Sequence, residues 1–335
     1  MKYTDQLVEQ LRKRSGTTVD ATAWLGYFAF DVMGDLAFGK SFDALQRGTS
    51  HWFMDSIRSN GVPLGTLGTA TWIAECIMRL VPSPLNPMKK LIDGSTDMVE
   101  KRRSYKPEEP DVMSYILDAG PFFPDTRRED LLLTGDARLL VVAGSDTTSA
   151  TLTFAIYHLA KDLKIVEALR KELDGCDLSI AALSHLGYLN AIINETLRFY
   201  PAVPSGVYRK SPPGGITING HFVPGGCIVQ TPQHIIQRSS KAFAEPLEFM
   251  PERWTTRPEL IRDKNAFFPF LIGKYGCIGK QLALNEMRSV LTKLVLEFDL
   301  AFAKGEDGYR LLNETQDHFT FGVAPLEVIF TTPKS

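Results

Sequence analysis

The sequence predicts a mainly α-helical fold with a small β portion, and three observations support that prediction. Apolar residues recur at helical spacing through the first two thirds of the chain. One such stretch, from about 128 to 161, is more than twice as long as an average helix. From residue 206 onwards, apolar and polar residues alternate between Gly-Gly and Pro-Gly turns, a pattern typical of short strands.

Capping residues and prolines mark the ends of the predicted helices. Residues 20 to 39 begin with an Asp cap and end at a Gly, as a buried helix does. Residues 184 to 201 form another helix, which Pro201 stops. Three shorter helices are predicted at about 48 to 59, 86 to 104 and 109 to 118, with Gly- and Pro-containing breaks at 61 to 69 and 82 to 87.

The last third of the chain holds the predicted strands. Residues 206 to 231 form short strands, and residues 318 to 332 form a late hairpin. Between these two regions, a helix is predicted to start at Cys277. Since repeats, low-complexity segments and linkers are lacking, residues 1–335 are predicted to form a single domain.

Composition narrows the functional classes. The chain has 335 residues, 44% hydrophobic and 23% charged, with a net charge of −2, so it has no basic surface for nucleic acid. Its four cysteines are far apart in sequence, which disfavours a zinc site or a disulfide framework and favours reduced thiols in a cytosol-facing protein. No run reaches about 18 uninterrupted apolar residues, so neither a signal peptide nor a membrane anchor is predicted.

Cys277 lies in an unusual setting. Gly273, Gly276 and Gly279 surround it and keep bulk away from the backbone, as a close-approaching flat ligand requires. A helix that starts at the cysteine directs its N–H groups and positive dipole end towards the sulfur and favours the thiolate, which is a metal ligand. Against this stands an ordinary buried cysteine. A phosphate loop fits poorly, because Gln281 stands where Ser or Thr would hold magnesium.

The predicted central helix contains a polar break. Residues 143 to 149, A-G-S-D-T-T-S, interrupt an apolar run, and Gly144 alone costs about 1 kcal/mol relative to Ala. Hydroxyl side chains there can bond back to the preceding turn and bend it. A tolerated kink is one interpretation, and a functional site is the other. Glu195 and Arg198, one turn apart, would by themselves indicate a surface salt bridge.

Four motifs, taken in their order along the chain, resemble those of the cytochrome P-450 superfamily of haem-thiolate monooxygenases. They are A-G-S-D-T-T at 143 to 148, E-T-L-R at 195 to 198, P-E-R-W at 251 to 254 and F-L-I-G-K-Y-G-C-I-G at 270 to 279. Two stretches, P-E-R-W and C-I-G-K-Q-L-A-L-N-E-M-R, resemble fungal members in particular. The resemblance covers most of the chain and implies a cytochrome P-450-like fold that lacks its N-terminal part. The membrane anchor and the N-terminal sheet and helices would be absent.

The resemblance implies a haem b cofactor. Cys277 would be the axial thiolate ligand of the iron, and Phe270 would shield its sulfur. Gly273 and Gly279 would admit the porphyrin and let backbone amides point at the sulfur. Arg209 would pair with a haem propionate. The family's usual Arg or His two residues before the cysteine is Tyr275 here, which removes a charged propionate contact.

The other motifs imply further roles. Glu195, Arg198 and Arg253 would form a buried ion-pair network ahead of the cysteine loop. Asp146 and Thr147 would be the acid and the alcohol of oxygen activation. Because consecutive helical residues lie about 100° apart, only Thr147 is predicted to touch the oxygen site, with Asp146 turned to the solvent side. The substrate pocket would include Phe154, Val203 and Phe321.

The implied function is oxidation of a lipophilic small molecule in secondary metabolism. The partners would be that substrate, dioxygen and an NADPH-dependent reductase that donates electrons. Nucleic acid is not expected as a partner. A full-length form could associate with the endoplasmic reticulum. Two alternatives stay open: rearrangement or dehydration without oxygen insertion, and a non-catalytic truncated remnant that binds haem poorly.

Overall fold

The computed structural model describes residues 2–67, 72–73, 76, 80, 87–121 and 123–333. Helices dominate this part of the chain. Those before residue 180 are α1 (Lys2–Arg12), α2 (Ala21–Phe38), α3 (Ala44–Arg47), α4 (Trp52–Leu67), α5 (Pro87–Arg103), α6 (Val112–Ala119), α7 (Thr126–Lys161) and α8 (Leu163–Leu173). The later helices are α9 (Ile180–Leu183), α10 (Gly187–Phe199), α11 (Gln233–Ile236), α12 (Lys280–Glu297) and α13 (Tyr309–Glu314).

The capping signals give helix ends close to those observed. The Asp20 side chain accepts a hydrogen bond from the Ala23 N–H at 3.3 Å, and α2 ends at Gly39, whose φ of +64° suits glycine. The central helix α7 begins after its cap Asp125 and runs through the polar break without interruption. The hydroxyls of the polar break bond to carbonyls one turn earlier in the same helix, so the helix continues through residues 143 to 149.

The predicted break at 61 to 69 is wrong over residues 61 to 67, which continue α4. Helix α4 packs against α5 and against the strand at residues 316 to 318, and such packing overrides weak local propensity. Residues 68 and 69, and residues 82 to 86 of the second predicted break, lie outside the described part of the chain.

Nine short strands are described: β1 (Thr18–Asp20), β2 (Tyr208–Lys210), β3 (Ile216–Ile218), β4 (His221–Val223), β5 (Ile228–Gln230), β6 (Asp299–Phe302), β7 (Gln316–His318), β8 (Thr320–Gly322) and β9 (Glu327–Thr331). The pairs β2·β5, β3·β4 and β7·β8 are antiparallel. The predicted late hairpin is only partly right. It is formed by β7 and β8, whereas β9 joins β1 and β6 in a sheet of order β1-β9-β6.

The register of that sheet joins the two ends of the described chain. Thr18 lies opposite Ile329, and Leu300 lies opposite Phe330. Val328 and Phe330 of β9 are almost fully buried, so this strand lies in the core. The backbone N–H and C=O groups on both of its edges therefore need hydrogen-bond partners. Helix α1 adds a second link, because its Thr4 hydroxyl lies 3.0 Å from that of Ser289 on α12.

Helix α7 connects two hydrophobic clusters. Leu133, Ala137 and Val141 in its first half pack in a cluster with α2, α4 and α5, and residues 152 to 159 in its second half pack in the main cluster with α8, α10 and α12. The polar residues 143 to 149 lie between the two. Helix α7 is also long and apolar enough to cross a membrane, but 56% of its most apolar window is buried in the fold, as in an ordinary core helix.

Candidate active site

A cavity of about 530 Å³ lies against the polar middle of α7. Asp146 and Thr147 line it from α7, Asp20 lines it at the start of α2, and Arg58 lines it from α4. The segment from His318 to Val323, including the β7–β8 turn, forms another wall. The cavity therefore brings together segments from both ends of the described chain, and most of its surface is apolar.

Close packing determines where α7 sits. A Cβ at Gly144 would collide with the Met33 side chain of α2, so any larger residue would require that methionine to shift. This accounts for the glycine in the polar break. The glycine serves helix packing, and the neighbouring Asp and Thr face the cavity.

The Thr147 hydroxyl donates a hydrogen bond to the Ala143 carbonyl at 2.7 Å. The hydroxyl proton is therefore already used in a hydrogen bond within the helix. The lone pairs of the Thr147 oxygen can still accept a hydrogen bond from a group in the cavity. Burial raises the pKa of Asp146 to about 6, and the charge of Arg58 partly opposes that rise. Asp146 is thus an acid able to exchange a proton near neutral pH.

The predicted orientation of Asp146 is wrong. Its side chain is only partly exposed and lines the same cavity as Thr147, instead of turning to the solvent side. The 100° step between consecutive residues separates them on the helix surface, but the cavity is wide enough to contact both positions.

The cysteine loop lies just before α12. Gly273 begins a short 3₁₀ turn with φ +76°, and the Cys277 N–H donates to the Phe270 carbonyl at 2.8 Å, which closes the loop. Helix α12 begins at Lys280 with Gly279 as its cap, so the predicted start at Cys277 is wrong. The positive φ of Gly273 and the hydrogen bond from Cys277 to Phe270 determine the shape of the loop. The helix propensity of the following residues matters less there.

The loop faces outward with apolar side chains. Cys277 is exposed, Ile272 is 81% exposed and Ile278 is 99% exposed. The predicted amide donors to the sulfur are not observed, because no described N–H bonds to the Cys277 Sγ. A Cβ at Gly273 would meet nothing within 4 Å, and one at Gly279 would meet only that sulfur, at 3.9 Å.

Arg209 lies beside this loop. It is an exposed residue of β2, and its guanidinium carbon lies 5.3 Å from the centre of the Tyr275 ring. Lys274 also lies over that ring, 5.6 Å from its centre. Two cations are therefore grouped around the phenol of Tyr275, two residues before the cysteine, where they could meet carboxylate groups.

The structure brings Glu195, Arg198 and Arg253 together, and all three side chains are fully buried. Arg198 holds both carboxylate oxygens of Glu195, at 2.7 and 2.9 Å, and Arg253 approaches at 3.4 Å. Both arginines also donate to backbone carbonyls between residues 237 and 260. The ion pairs thus anchor the irregular segment that precedes the cysteine loop.

Of the predicted pocket residues, Val203 and Phe321 line the cavity and Phe154 does not. Phe154 is 2% exposed and touches the edge of Phe321 from behind, with ring centres 5.5 Å apart. It lies on the same face of α7 as Thr147, two turns further on. There Tyr200, the residue that follows α10, covers that face by stacking directly on Phe154.

Two functional candidates were missed by sequence reasoning. The Trp254 indole N–H donates to Glu195 at 2.9 Å, which gives the tryptophan of the P-E-R-W motif a role. Glu286 on α12 is 8% exposed, one of its oxygens is unpaired within the described residues, and burial raises its pKa to about 8 although a hydrogen bond to Thr148 opposes this. A lone Glu in the apolar stripe of α12 is the signal that could have identified it.

The residues present fit a haem. The exposed cysteine is a soft donor, the glycines beside it leave open space, and apolar side chains flank it as a porphyrin face requires. The cations near Tyr275 suit its propionates. Within the described residues no cluster of three His, Cys, Asp or Glu could hold a metal, so a single protein ligand matches the donor set better than a multi-ligand centre.

A mainly helical fold with a cysteine loop of this kind and an acid–alcohol pair on its longest helix defines a haem-thiolate protein. The comparisons with known proteins agree. The chain belongs to the cytochrome P450 family, since the model of the family described as Cytochrome P450 matches residues 1–330. The cofactor of this family is haem b, held by a thiolate.

Fungal proteins are among the relatives of this chain. The chain is 38% identical to the cytochrome P450 monooxygenase notG' of Aspergillus versicolor, over 98% of this chain and 61% of the relative. It is 36% identical to the tryprostatin B 6-hydroxylase of Aspergillus fumigatus, over 98% of this chain and 60% of the relative. The chain thus spans about 60% of the length of the curated relatives it matches.

A crystal structure of the cytochrome P450DA heme domain shares the fold. Its TM-score is 0.78 at 19% identity, and the match covers 99% of this chain and 71% of that one. The mainly α fold with a small β portion is confirmed by this similarity. The part of the P450 fold that this chain comprises therefore includes the cysteine loop, the long central helix and the small sheets.

Proposed function

We propose that this chain is a single haem-thiolate monooxygenase domain that oxidises a lipophilic small molecule in fungal secondary metabolism. The observation that carries the proposal is the largely apolar cavity into which α7 presents Asp146 and Thr147. The names of the relatives support it, since several are called monooxygenases and one is named as a hydroxylase of tryprostatin B. All four cysteines are free, which fits a cytosol-facing location.

The chain's own residues would divide the work. Cys277 would hold the haem iron, and Arg209 with Lys274 would meet the propionates. The bound haem supplies the oxidising chemistry, because a thiolate ligand favours O–O cleavage. Val203 and Phe321 would orient the apolar substrate and exclude water from the cavity.

Proton delivery would fall to Asp146 and Thr147. A carboxyl whose pKa is about 6 can take a proton from the solvent side and release it into the cavity at neutral pH. The Thr147 oxygen accepts a hydrogen bond while its own proton stays on the Ala143 carbonyl, so it would hold a protonated group in place. Dioxygen and an electron-donating reductase complete the proposed partners.

The spectrum of the reduced, carbon-monoxide-bound protein tests the proposal. The haem-loaded chain should show the red-shifted Soret band of thiolate ligation, and Cys277→Ser should lose it. Cys227→Ser and Cys176→Ser are matched controls and should keep it. Retention of the band in Cys277→Ser would refute the ligand assignment, and absence of any haem band in the parent chain would favour the non-catalytic remnant.

Product analysis under labelled dioxygen then separates the reaction types. A monooxygenase places one labelled oxygen atom in its product, whereas rearrangement or dehydration places none. The matching relatives favour oxygen insertion, because each of the first seven is named as a monooxygenase or a hydroxylase.

A further inference from the structure

A continuous row of aromatic rings leads from the cavity into the core. Phe321 lines the cavity and meets the edge of Phe154, with ring centres 5.5 Å apart. Phe154 stacks on Tyr200 at 3.9 Å with an interplanar angle of 3°. The Tyr200 hydroxyl lies 3.3 Å from Nε2 of His158, whose ring stacks on Phe249 at 3.6 Å. Phe249 is only half-buried, so the row runs from the cavity towards the surface.

The polar pair in this row calls for an explanation beyond packing. Tyr200 and His158 are 7% and 8% exposed, and a phenylalanine at position 200 would keep the stack on Phe154 without burying a hydroxyl. Burying two polar groups stabilises a core only slightly, even when they bond to each other. The pair therefore adds chemistry that an all-apolar core would lack.

The protonation states suit proton transfer within the pair. Burial and the charge of Lys161 lower the pKa of His158 to about 3, so its imidazole is neutral and is a weak base that takes a proton only from a strong acid, which an oxidised phenol is. Burial also raises the pKa of Tyr200, which keeps the phenol protonated. In the tautomer that carries its proton on Nδ1, Nε2 accepts the hydrogen bond that the phenol donates.

We propose that Tyr200 and His158 form a redox relay that removes oxidising equivalents from the cavity when no substrate uses them; this rests on the proposed monooxygenase function. One electron passes from the Tyr200 phenol through Phe154 and Phe321 to a peroxide-derived oxidant in the cavity, which is reduced by that electron. The phenol proton moves to Nε2 of His158. The products are a Tyr200 phenoxyl radical and a His158 imidazolium.

The relay is restored from the surface side. A soluble one-electron reductant, such as ascorbate or a thiol, reduces the phenoxyl through His158 and Phe249. The imidazolium then returns its proton to the phenolate oxygen, and the original pair is regenerated. The net reaction consumes one electron from the reductant for each oxidising equivalent, and no atom of the protein is lost.

The test treats the haem-loaded chain with hydrogen peroxide in the absence of substrate. Freeze-quenched samples should show a tyrosyl radical by electron paramagnetic resonance. Tyr200→Phe should lower that signal several-fold and speed haem bleaching. His158→Gln keeps a hydrogen-bond acceptor but lacks a base, so it should lose the signal as well. Tyr157→Phe is the matched control, because this buried phenol bonds to Lys161 and does not stack on Phe154. It should behave as the parent does.

Two results would overturn the relay: an undiminished radical in Tyr200→Phe, or a signal in His158→Gln equal to the parent's. Pulse radiolysis of the same chain without haem is a second arm. Azide radicals oxidise surface aromatics, and the radical should settle on Tyr200 and live longer than in Tyr200→Phe. Failure of the parent chain to bind haem would count against the proposed function, and the second arm would then decide the relay alone.

Discussion

The Glu195 carboxylate and the Cys277 thiol belong to neighbouring parts of the fold, yet their surroundings are opposite. Glu195 is fully buried and accepts hydrogen bonds from Arg198, Arg253, Trp254 and the Met250 N–H. Cys277 is exposed, and Ile278 beside it is 99% exposed. The first region is complete within the chain, whereas the second presents apolar surface that a bound group would cover.

This difference separates residues that hold the fold from residues that would hold a cofactor. Removing a partner from the complete region leaves a buried charge uncompensated, so its cost appears in stability. Removing a side chain from the exposed region leaves no buried charge and no cavity, so the free energy of unfolding changes little. The effect is instead on cofactor binding and on activity. The predictions below test that separation, from the largest expected effect on the free energy of unfolding to the smallest.

Glu195→Ala should lower the free energy of unfolding by about 3–5 kcal/mol, because two arginines then stay buried without their carboxylate. Urea unfolding followed by circular dichroism measures this. The matched control is Glu259→Ala, which removes an exposed partner of Arg257 and should cost at most about 1 kcal/mol. Equal losses in the two variants would show that the network is an ordinary ion pair.

Glu286→Gln should change how stability depends on pH. The folded-state pKa of Glu286 is raised from 4.5 to about 8, so between these values the native chain binds a proton that the unfolded chain releases. Stability therefore falls as pH rises through that window. The stability of the Gln variant should fall less than that of the parent over this pH range. Urea unfolding midpoints of both proteins, measured across the range, give the difference. Glu314→Gln makes the same change on an exposed side chain and should follow the parent.

Cys277→Ser should change the free energy of unfolding of the haem-free chain by less than about 0.5 kcal/mol, since the side chain is exposed and no described N–H bonds to its sulfur. The same substitution should abolish the thiolate spectrum of the haem-loaded chain. Thermal unfolding of both proteins without haem provides the stability value. A loss above about 1 kcal/mol would show that the thiol packs in the fold and that the two regions are not so different.

Thr147→Ala should have the smallest effect on stability, because alanine favours a helix and the lost hydroxyl bonded only within α7. Substrate binding and the carbon monoxide spectrum should be unchanged, while electrons are diverted from product to peroxide. The ratio of product to NADPH consumed measures this coupling.

Thr151→Ala is the matched control for that coupling measurement. Thr151 lies one turn further along α7, bonds to the Thr147 carbonyl in the same way and does not line the cavity. Its variant should couple electrons to product as the parent does. Equal coupling in Thr147→Ala and the parent would remove Thr147 from proton delivery and would favour the rearrangement chemistry.

The sequence by itself determined the features that depend on neighbours a few residues apart. Asp20 and Gly39 at the ends of α2, the unbroken length of α7 and the pairing of Glu195 with Arg198 are all local, because caps and i,i+3 contacts form within a turn or two. The glycine-lined setting of Cys277 is local as well.

Only the tertiary structure decided the features that depend on distant segments. β9 lies in the core, so the backbone groups along both of its edges need hydrogen-bond partners, and β1 and β6 provide them. No local sequence pattern specifies this pairing. Asp146 faces the cavity and Phe154 does not, since the opposing surfaces come from residues near 20, 200 and 320. Burial then sets the pKa of Asp146 and of Glu286, because the free energy of an ionised carboxyl depends on everything packed around it.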